Sequence, residues 1–365
     1  MRVAVLGVGL IGGSIGLAAR QRLGAEAAGF DPDPATLERA LEREALDTAA
    51  GSVAEAADGA GAVFCAAPVG ALPALVDEAL EASGEGTVVT DVGSTKRGLI
   101  AGLPEAPSRE RFIGGHPLAG SETSGIEHAR ADLFEGARWY LVPTQRSSGL
   151  LYDRLHRIVS ELGARPLATD AETHDRIMAT VSHLPHVIAN VLAAEAAEAL
   201  GEESERLPEV GPSFRDSARV AGPNPGIWID IFASNREALA SEIESVVERL
   251  RGAAELLRSD DAEGLSRWHR DALADRRRLL EAELVGGPLS ELRVSVANRP
   301  GTVAEIALAL GRAGVNIEDM TLSPAADMRS GAISLWVAGP GEAERAADVV
   351  RHLGHTVSVV TSGDE

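Results

Sequence analysis

At 365 residues and 45% hydrophobic content, the chain is long enough for two or three domains and a large buried core. Its formal net charge of −21 argues against nucleic acid and anionic membrane surfaces as partners, and it obliges any anionic substrate to find a local basic pocket. Cys65 is the only cysteine, so an intrachain disulfide and a cysteine-rich metal site are both excluded. No apolar run reaches about 18 residues. The chain opens on a strand with no secretory signal ahead of it, which predicts a soluble, cytoplasmic protein.

Val3 to Leu6 is a Val-rich run of the kind that is buried on both faces of a parallel sheet. GVGLIG follows, with Gly7, Gly9 and Gly12 at G-x-G-x-x-G spacing and Leu10 and Ile11 between them, and a helical pattern then runs to about Leu23. In such a loop the first glycine makes the tight turn, the second lets a pyrophosphate approach, and the third lets helix and strand pack closely. The phosphates would sit on the free N–H groups of the helix N-terminus. Strand, glycine turn and helix together predict a dinucleotide site. Glu26 to Phe30 reads as the second strand and ends at Asp31, where a carboxylate accepts from the adenosine ribose hydroxyls and repels a 2′-phosphate. NAD is therefore expected over NADP, with a plain turn role for Asp31 as the alternative.

Leu37 to Ala45 reads as a helix, and Ala62 to Ala67 as a buried strand stopped by Pro68 at the ligand edge, with Cys65 inside its core. Thr87 to Asp91 is the next strand and runs into DVGSTK, where Ser94 either donates to a substrate carboxylate or caps the following helix. Phe112 to Gly115 is a further strand, so His116 follows it directly in the glycine-rich loop GGHPLAGSETSG, a setting suited to proton transfer near neutrality. Glu122 lies in the same loop and is placed to orient the histidine or the substrate. Arg138 to Pro143, Leu150 to Leu162 and Arg165 to Leu167 complete the domain as strand, helix and strand.

From Ala171 to about Leu284 an alanine-rich helical pattern dominates. Ser182 and His186 share a helix face, and Pro185 is expected to end or kink that helix. His183 and His186 at i, i+3 spacing invite a metal, but no third ligand accompanies them, and none is expected. Arg219 suits bidentate capture of a carboxylate, with a surface pair to Asp216 as the alternative. Trp228 follows on a helix after a Pro/Gly loop. Gly286-Gly287-Pro288 reads as a linker. After it, β-α-β-β-α-β order predicts a ferredoxin-like fold whose Pro300–Gly301 turn offers N–H groups to an amino-acid carboxylate, or else a dimerisation module without ligand.

GVGLIGGS, CAAPV, DVGSTK, GGHPLAGSE, VSHLPH, FRDSARVA and WIDIF occur in that order. Across essentially its whole length the chain resembles prephenate dehydrogenases of the TyrA type that carry a C-terminal ACT domain. The resemblance implies a Rossmann-type NAD-binding domain over 1–169, an all-α dimerisation and substrate domain over 170–286, and an α+β ferredoxin-like ACT domain over 287–365. It implies oxidative decarboxylation of prephenate to 4-hydroxyphenylpyruvate by a homodimer, with tyrosine as the expected effector. Carried over to this sequence, His116 is the catalytic histidine and Arg219 holds a substrate carboxylate. Ser94, Glu122, Ser182, His186, Asp216 and Trp228 fall in or around the pocket. Gly7, Gly9, Leu10, Ile11, Gly12, Asp31 and Pro68 fall at the cofactor, and Pro300, Gly301, Asn316 and Ile317 at the effector. Arogenate dehydrogenase, with the same chemistry, and a non-catalytic NAD and amino-acid sensor are the competing readings. A 3-hydroxyacid dehydrogenase would use a helix-borne lysine, and residues 171–284 contain none.

Overall fold

The computed structural model describes residues 1–120, 123–201, 211–222, 224–281, 289–297, 299, 301–324, 330–339 and 341–361. The chain forms two compact units, Met1–His174 with Gly286–Glu365, and Asp175–Val285.

In the first unit, β1 (Arg2–Leu6), β2 (Glu26–Phe30), β3 (Thr48–Ala49), β4 (Ala62–Cys65) and β5 (Val88–Asp91) form a parallel sheet in the order β3-β2-β1-β4-β5. The order reverses between β1 and β4, the crevice where open α/β sheets hold ligands. The helices α1 (Leu10–Leu23), α2 (Pro34–Glu42), α3 (Val53–Ala57), α4 (Leu72–Ala82) and α5 (Arg97–Gly102) make the crossovers. α1 is buried along Gly12–Ala19 because its glycines, Ser14 and alanines present almost no bulk to the sheet. It ends at Gly24, whose left-handed φ of 57° lets its N–H donate to Ala19 O.

The predicted strand 112–115 divides in two. Phe112 makes a single parallel bridge to Val89 and Ile113 N donates to Val89 O at 3.0 Å. The chain then leaves this sheet, and β6 (Gly114–Pro117) pairs antiparallel with β7 (Arg138–Val142), which pairs in parallel with β8 (Arg165–Ala168) across α6 (Gly149–Glu161). His116 is therefore inside β6, opposite Tyr140, and only 9% exposed. This corrects the expectation of a loop histidine. The apolar pair Phe112–Ile113 marks the handover between sheets rather than a strand of its own.

The C-terminal segment, also in this unit, forms β9 (Leu289–Ala297), α7 (Thr302–Arg312), β10 (Asp319–Pro324), β11 (Ser330–Ala338), α8 (Glu342–His352) and β12 (Thr356–Thr361). Its antiparallel sheet runs β10-β11-β9-β12, the ferredoxin-like order. Alternation puts Leu292, Val294, Ile333, Leu335 and Val337 inward, and they join one hydrophobic cluster with Leu151, Leu155, Trp139 and Val159. At the junction, a Cβ on Gly149 would sit 2.8 Å from Val303, and one on Gly301 (φ +86°) 2.8 Å from Gln145 O, so both glycines permit close approach. Arg312 Nε pairs with Asp170 Oδ2 at 3.2 Å.

The second unit begins within the helix α9 (Ala171–Met178), which continues as a π-helical turn at 179–183 into α10 (Leu184–Gly201). The expected break at Pro185 does not occur. The wide turn, with Leu184 N donating to Ala179 O, carries the proline without ending the helix. The continuous helix 171–199 is long and apolar enough to cross a membrane by length and composition, although no uninterrupted apolar run in it reaches 18 residues. α11 (Pro212–Ala218), α12 (Pro225–Ser234), α13 (Arg236–Arg258) and α14 (Ala262–Glu281) complete the unit. Val181, Val191, Ile229, Leu250 and Leu257 of this unit are each at least 60% exposed.

Candidate active site

In the first unit the glycine loop has the geometry its spacing predicts. Gly7 has φ +92° and its N–H donates to Phe30 O at 2.8 Å. A Cβ on Gly12 would collide with Gly7 O, whereas one on Gly9 meets nothing within 4 Å, so the open side of the loop is the side a pyrophosphate needs. α1 starts at Leu10 and Ile11 with no side-chain cap, leaving its first N–H groups for an anion. Asp31 accepts from Val8 N at 2.8 Å and Asp33 N at 3.0 Å. It thus ties the end of β2 to the glycine loop. Pro68 is exposed just after β4. Cys65 is fully buried in β4, where burial and then the neighbouring Asp91 carboxylate push its thiol pKa well up, so it belongs to the core.

At the carboxyl end of β5, Asp91 is fully buried and ion-paired to Lys96, which is fully buried as well. Asp91 Oδ2 also accepts from Gly93 N at 2.8 Å, and Oδ1 from Gly115 N at 3.1 Å. Asp91 therefore fastens the DVGSTK loop to the residue before His116. Ser94 is half-buried in that loop, and its hydroxyl makes no hydrogen bond with the described residues. α5 begins after Lys96 without a side-chain cap, so Ser94 is not its N-cap. His116 Nδ1 lies 2.9 Å from Nε2 of His174, which is fully buried. Neither His174 nor the Asp91–Lys96 pair was identified from sequence. Lys96 did carry a signal, as the only lysine in a chain whose other strong cations are all arginine. Glu122 lies outside the described residues.

In the second unit, His186 Nδ1 donates to Ser182 O at 3.1 Å, which leaves Nε2 as an acceptor. Trp228 stacks on His186 with ring centroids 3.5 Å apart. Burial lowers the His186 pKa from its usual value, and the Arg219 charge adds to this against the opposing pull of the Ser182 carbonyl. The ring is thus neutral at pH 7. His186, Asn190, Val220, Trp228, Ile229 and Phe232 line a cavity of about 170 Å³. Of the predicted residues, His186 and Trp228 line this cavity, the Ser182 carbonyl and the Arg219 charge act on His186, and both Arg219 and Asp216 are exposed. His183 is buried, and its Nδ1 accepts from Asn235 Nδ2 at 3.2 Å. Among the described residues no three His, Cys, Asp or Glu side chains form a metal-binding group.

Of the effector candidates, Pro300 lies outside the described residues and Gly301 faces Gln145 O across the junction. Asn316 Nδ2 donates to Glu318 Oε1 at 2.8 Å, and Ile317 is buried.

Residues 15–167 match the family model of the prephenate dehydrogenase nucleotide-binding domain, and residues 170–271 that of the prephenate dehydrogenase dimerization domain. The prephenate dehydrogenase of Bacillus subtilis is 30% identical over 327 residues, covering 88% of this chain and 87% of the relative. The crystal structure of prephenate dehydrogenase from Aquifex aeolicus in complex with hydroxyphenyl propionate and NAD+ superimposes with a TM-score of 0.71 at 28% identity, over 76% of this chain and 98% of that one. The Synechocystis arogenate dehydrogenase structure gives 0.67 at 26% identity, over 76% of this chain and all of that one.

Proposed function

The chain belongs to the prephenate dehydrogenase family, and from that premise we propose that it oxidises and decarboxylates prephenate to 4-hydroxyphenylpyruvate with NAD, in tyrosine biosynthesis. The observation that carries the reading is His116, a buried histidine on β6 whose neighbour Gly115 is bonded to Asp91 at the ligand edge of a nucleotide-binding sheet.

When bound, NAD supplies the hydride acceptor. The Gly7–Gly12 loop and the start of α1 hold its phosphates, and Asp31 holds the ribose hydroxyls. His116 takes the hydroxyl proton of the substrate as the ring alcohol becomes a ketone. Loss of the carboxylate then makes the ring aromatic, so the protein needs neither a metal nor a covalent nucleophile. Ser94 and Arg219 hold substrate carboxylates, and Glu122, Ser182, His186, Asp216 and Trp228 complete the pocket. We assign 1–169 to NAD binding, 170–286 to dimerisation and substrate binding, and 287–365 to regulation as an ACT domain, with tyrosine as effector at Pro300, Gly301, Asn316 and Ile317. A second copy of the chain covers the apolar faces of the helical unit, and the homodimer is cytoplasmic.

The test is NADH formation by the purified chain with prephenate and with arogenate, each with NAD and with NADP. Prephenate with NAD is expected to be the preferred pair, and tyrosine is expected to slow it, with a coupling of about 1–3 kcal/mol. Preference for arogenate would transfer the reading to the amino substrate, and turnover of neither would leave a sensor. Arg219→Ala is expected to raise the KM for prephenate by roughly 30-fold or more, the equivalent of losing about 2–5 kcal/mol of charge pairing. A change confined to the KM for NAD would contradict its role.

A further inference from the structure

His174 has no place in the mechanism above, yet it is fully buried on α9 and its Nε2 lies 2.9 Å from His116 Nδ1. The two rings cross at 68° with centroids 5.1 Å apart. Tyr140, opposite His116 across the β6–β7 ladder, packs edge-on against His174 at 5.3 Å. The backbone beneath His174 is fastened as well. Its N–H donates to Asp170 O at 2.9 Å, and the Asp170 carboxylate accepts from Thr173 N at 2.9 Å and from Thr173 Oγ1 at 3.0 Å. Arg312 of the C-terminal segment pairs with the same carboxylate at 3.2 Å. Burial alone would raise the Asp170 pKa, but the bonds from Thr173 and Arg312 outweigh it and keep the carboxyl below its usual value, hence ionised. The imidazole of His174 is thus carried on a capped helix turn and enclosed by rings.

We propose that His174 is the positioning residue for His116, fixing its ring and selecting the tautomer whose Nε2 bears the lone pair. This rests on His116 being the base of the proposed reaction. A neutral imidazole has one N–H. With the hydrogen on Nδ1, the Nε2 of His116 accepts a proton; with the hydrogen on Nε2, the basic lone pair is on Nδ1 and turned toward His174. In the proposed arrangement His116 Nδ1–H donates to His174 Nε2 across the 2.9 Å contact, and the hydrogen of His174 lies on its own Nδ1. One proton then moves from the substrate hydroxyl to His116 Nε2. The bond to His174 becomes charge-assisted as the imidazolium forms, and so it strengthens during the step.

The test compares His174→Leu with His174→Gln in the full chain. Leucine fills the space without an acceptor, whereas glutamine places an amide oxygen near the position of Nε2. His174→Leu is expected to lower kcat by about 10–100-fold, the range for losing the partner that orients a functional histidine, with the KM for prephenate within about twofold. His174→Gln is expected to recover most of that loss. In ¹⁵N-histidine spectra of the NAD-bound wild-type chain, His116 is expected to show a protonated Nδ1 and an unprotonated Nε2. Equal kcat for the two variants, or the opposite tautomer in the wild type, would overturn the proposal. The spectrum needs no turnover and no variant. An inactive wild-type chain therefore condemns the assigned reaction, while a wrong tautomer or equal variants condemn the role of His174.

Discussion

The His116→Asn chain is expected to bind NAD as tightly as its parent, within about twofold, and to lose about 10²–10⁴-fold in kcat with prephenate, the usual worth of a positioned base. Asparagine is the informative replacement. Its amide nitrogen can occupy the place of Nδ1 and keep the bond to His174, whereas nothing replaces Nε2. The strand is not at risk from the change, because β6 is held by its ladder to β7 and by the Gly115–Asp91 bond, neither of which uses the imidazole. The cofactor loop lies on separate elements, β1 and α1. Calorimetric titration of NAD together with initial rates would separate binding from chemistry. Near-normal turnover would remove His116 from the mechanism, and a lost NAD affinity would recast it as a cofactor residue.

The parts of the fold that sequence made legible share one property: their signal is local. β1 and β2 come out within a residue because each is a short apolar run with a glycine turn or a carboxylate at its end. The βαββαβ order at the C-terminus is equally readable from period-two strands and glycine punctuation. What was missed depends on partners far along the chain. β6 is displaced from the expected strand because Gly114–Pro117 finds its pairing at 139–142, while Phe112 touches β5 through one bridge. His174 sits in a polar-looking helix start, and nothing local reveals that it meets His116 across 58 positions. For a related reason the helix does not end at Pro185. A proline is expected to break a helix, but a π-turn just before it accommodates the ring, and no pattern in the sequence announces that turn.

The largest expected effect on stability belongs to the one lysine. Lys96 and Asp91 are both fully buried, and the carboxylate has two further donors in Gly93 N and Gly115 N. Lys96→Met keeps the aliphatic stem and removes the charge, so Asp91 loses its cationic partner in the core and keeps only the two amide donors. Stranding one partner of such a pair costs about 3–5 kcal/mol. For a unit of this size that corresponds to a fall in Tm of roughly 6–20 °C, read by calorimetry on the transition of the nucleotide-binding unit. The double variant Asp91→Asn, Lys96→Met is expected to regain part of the loss, since a neutral amide can still accept from Gly93 or Gly115 and no charge is left stranded. An unchanged Tm in Lys96→Met would mean that the pair contributes nothing net. A double variant no better than the single one would place the cost in packing around the stem rather than in the stranded carboxylate.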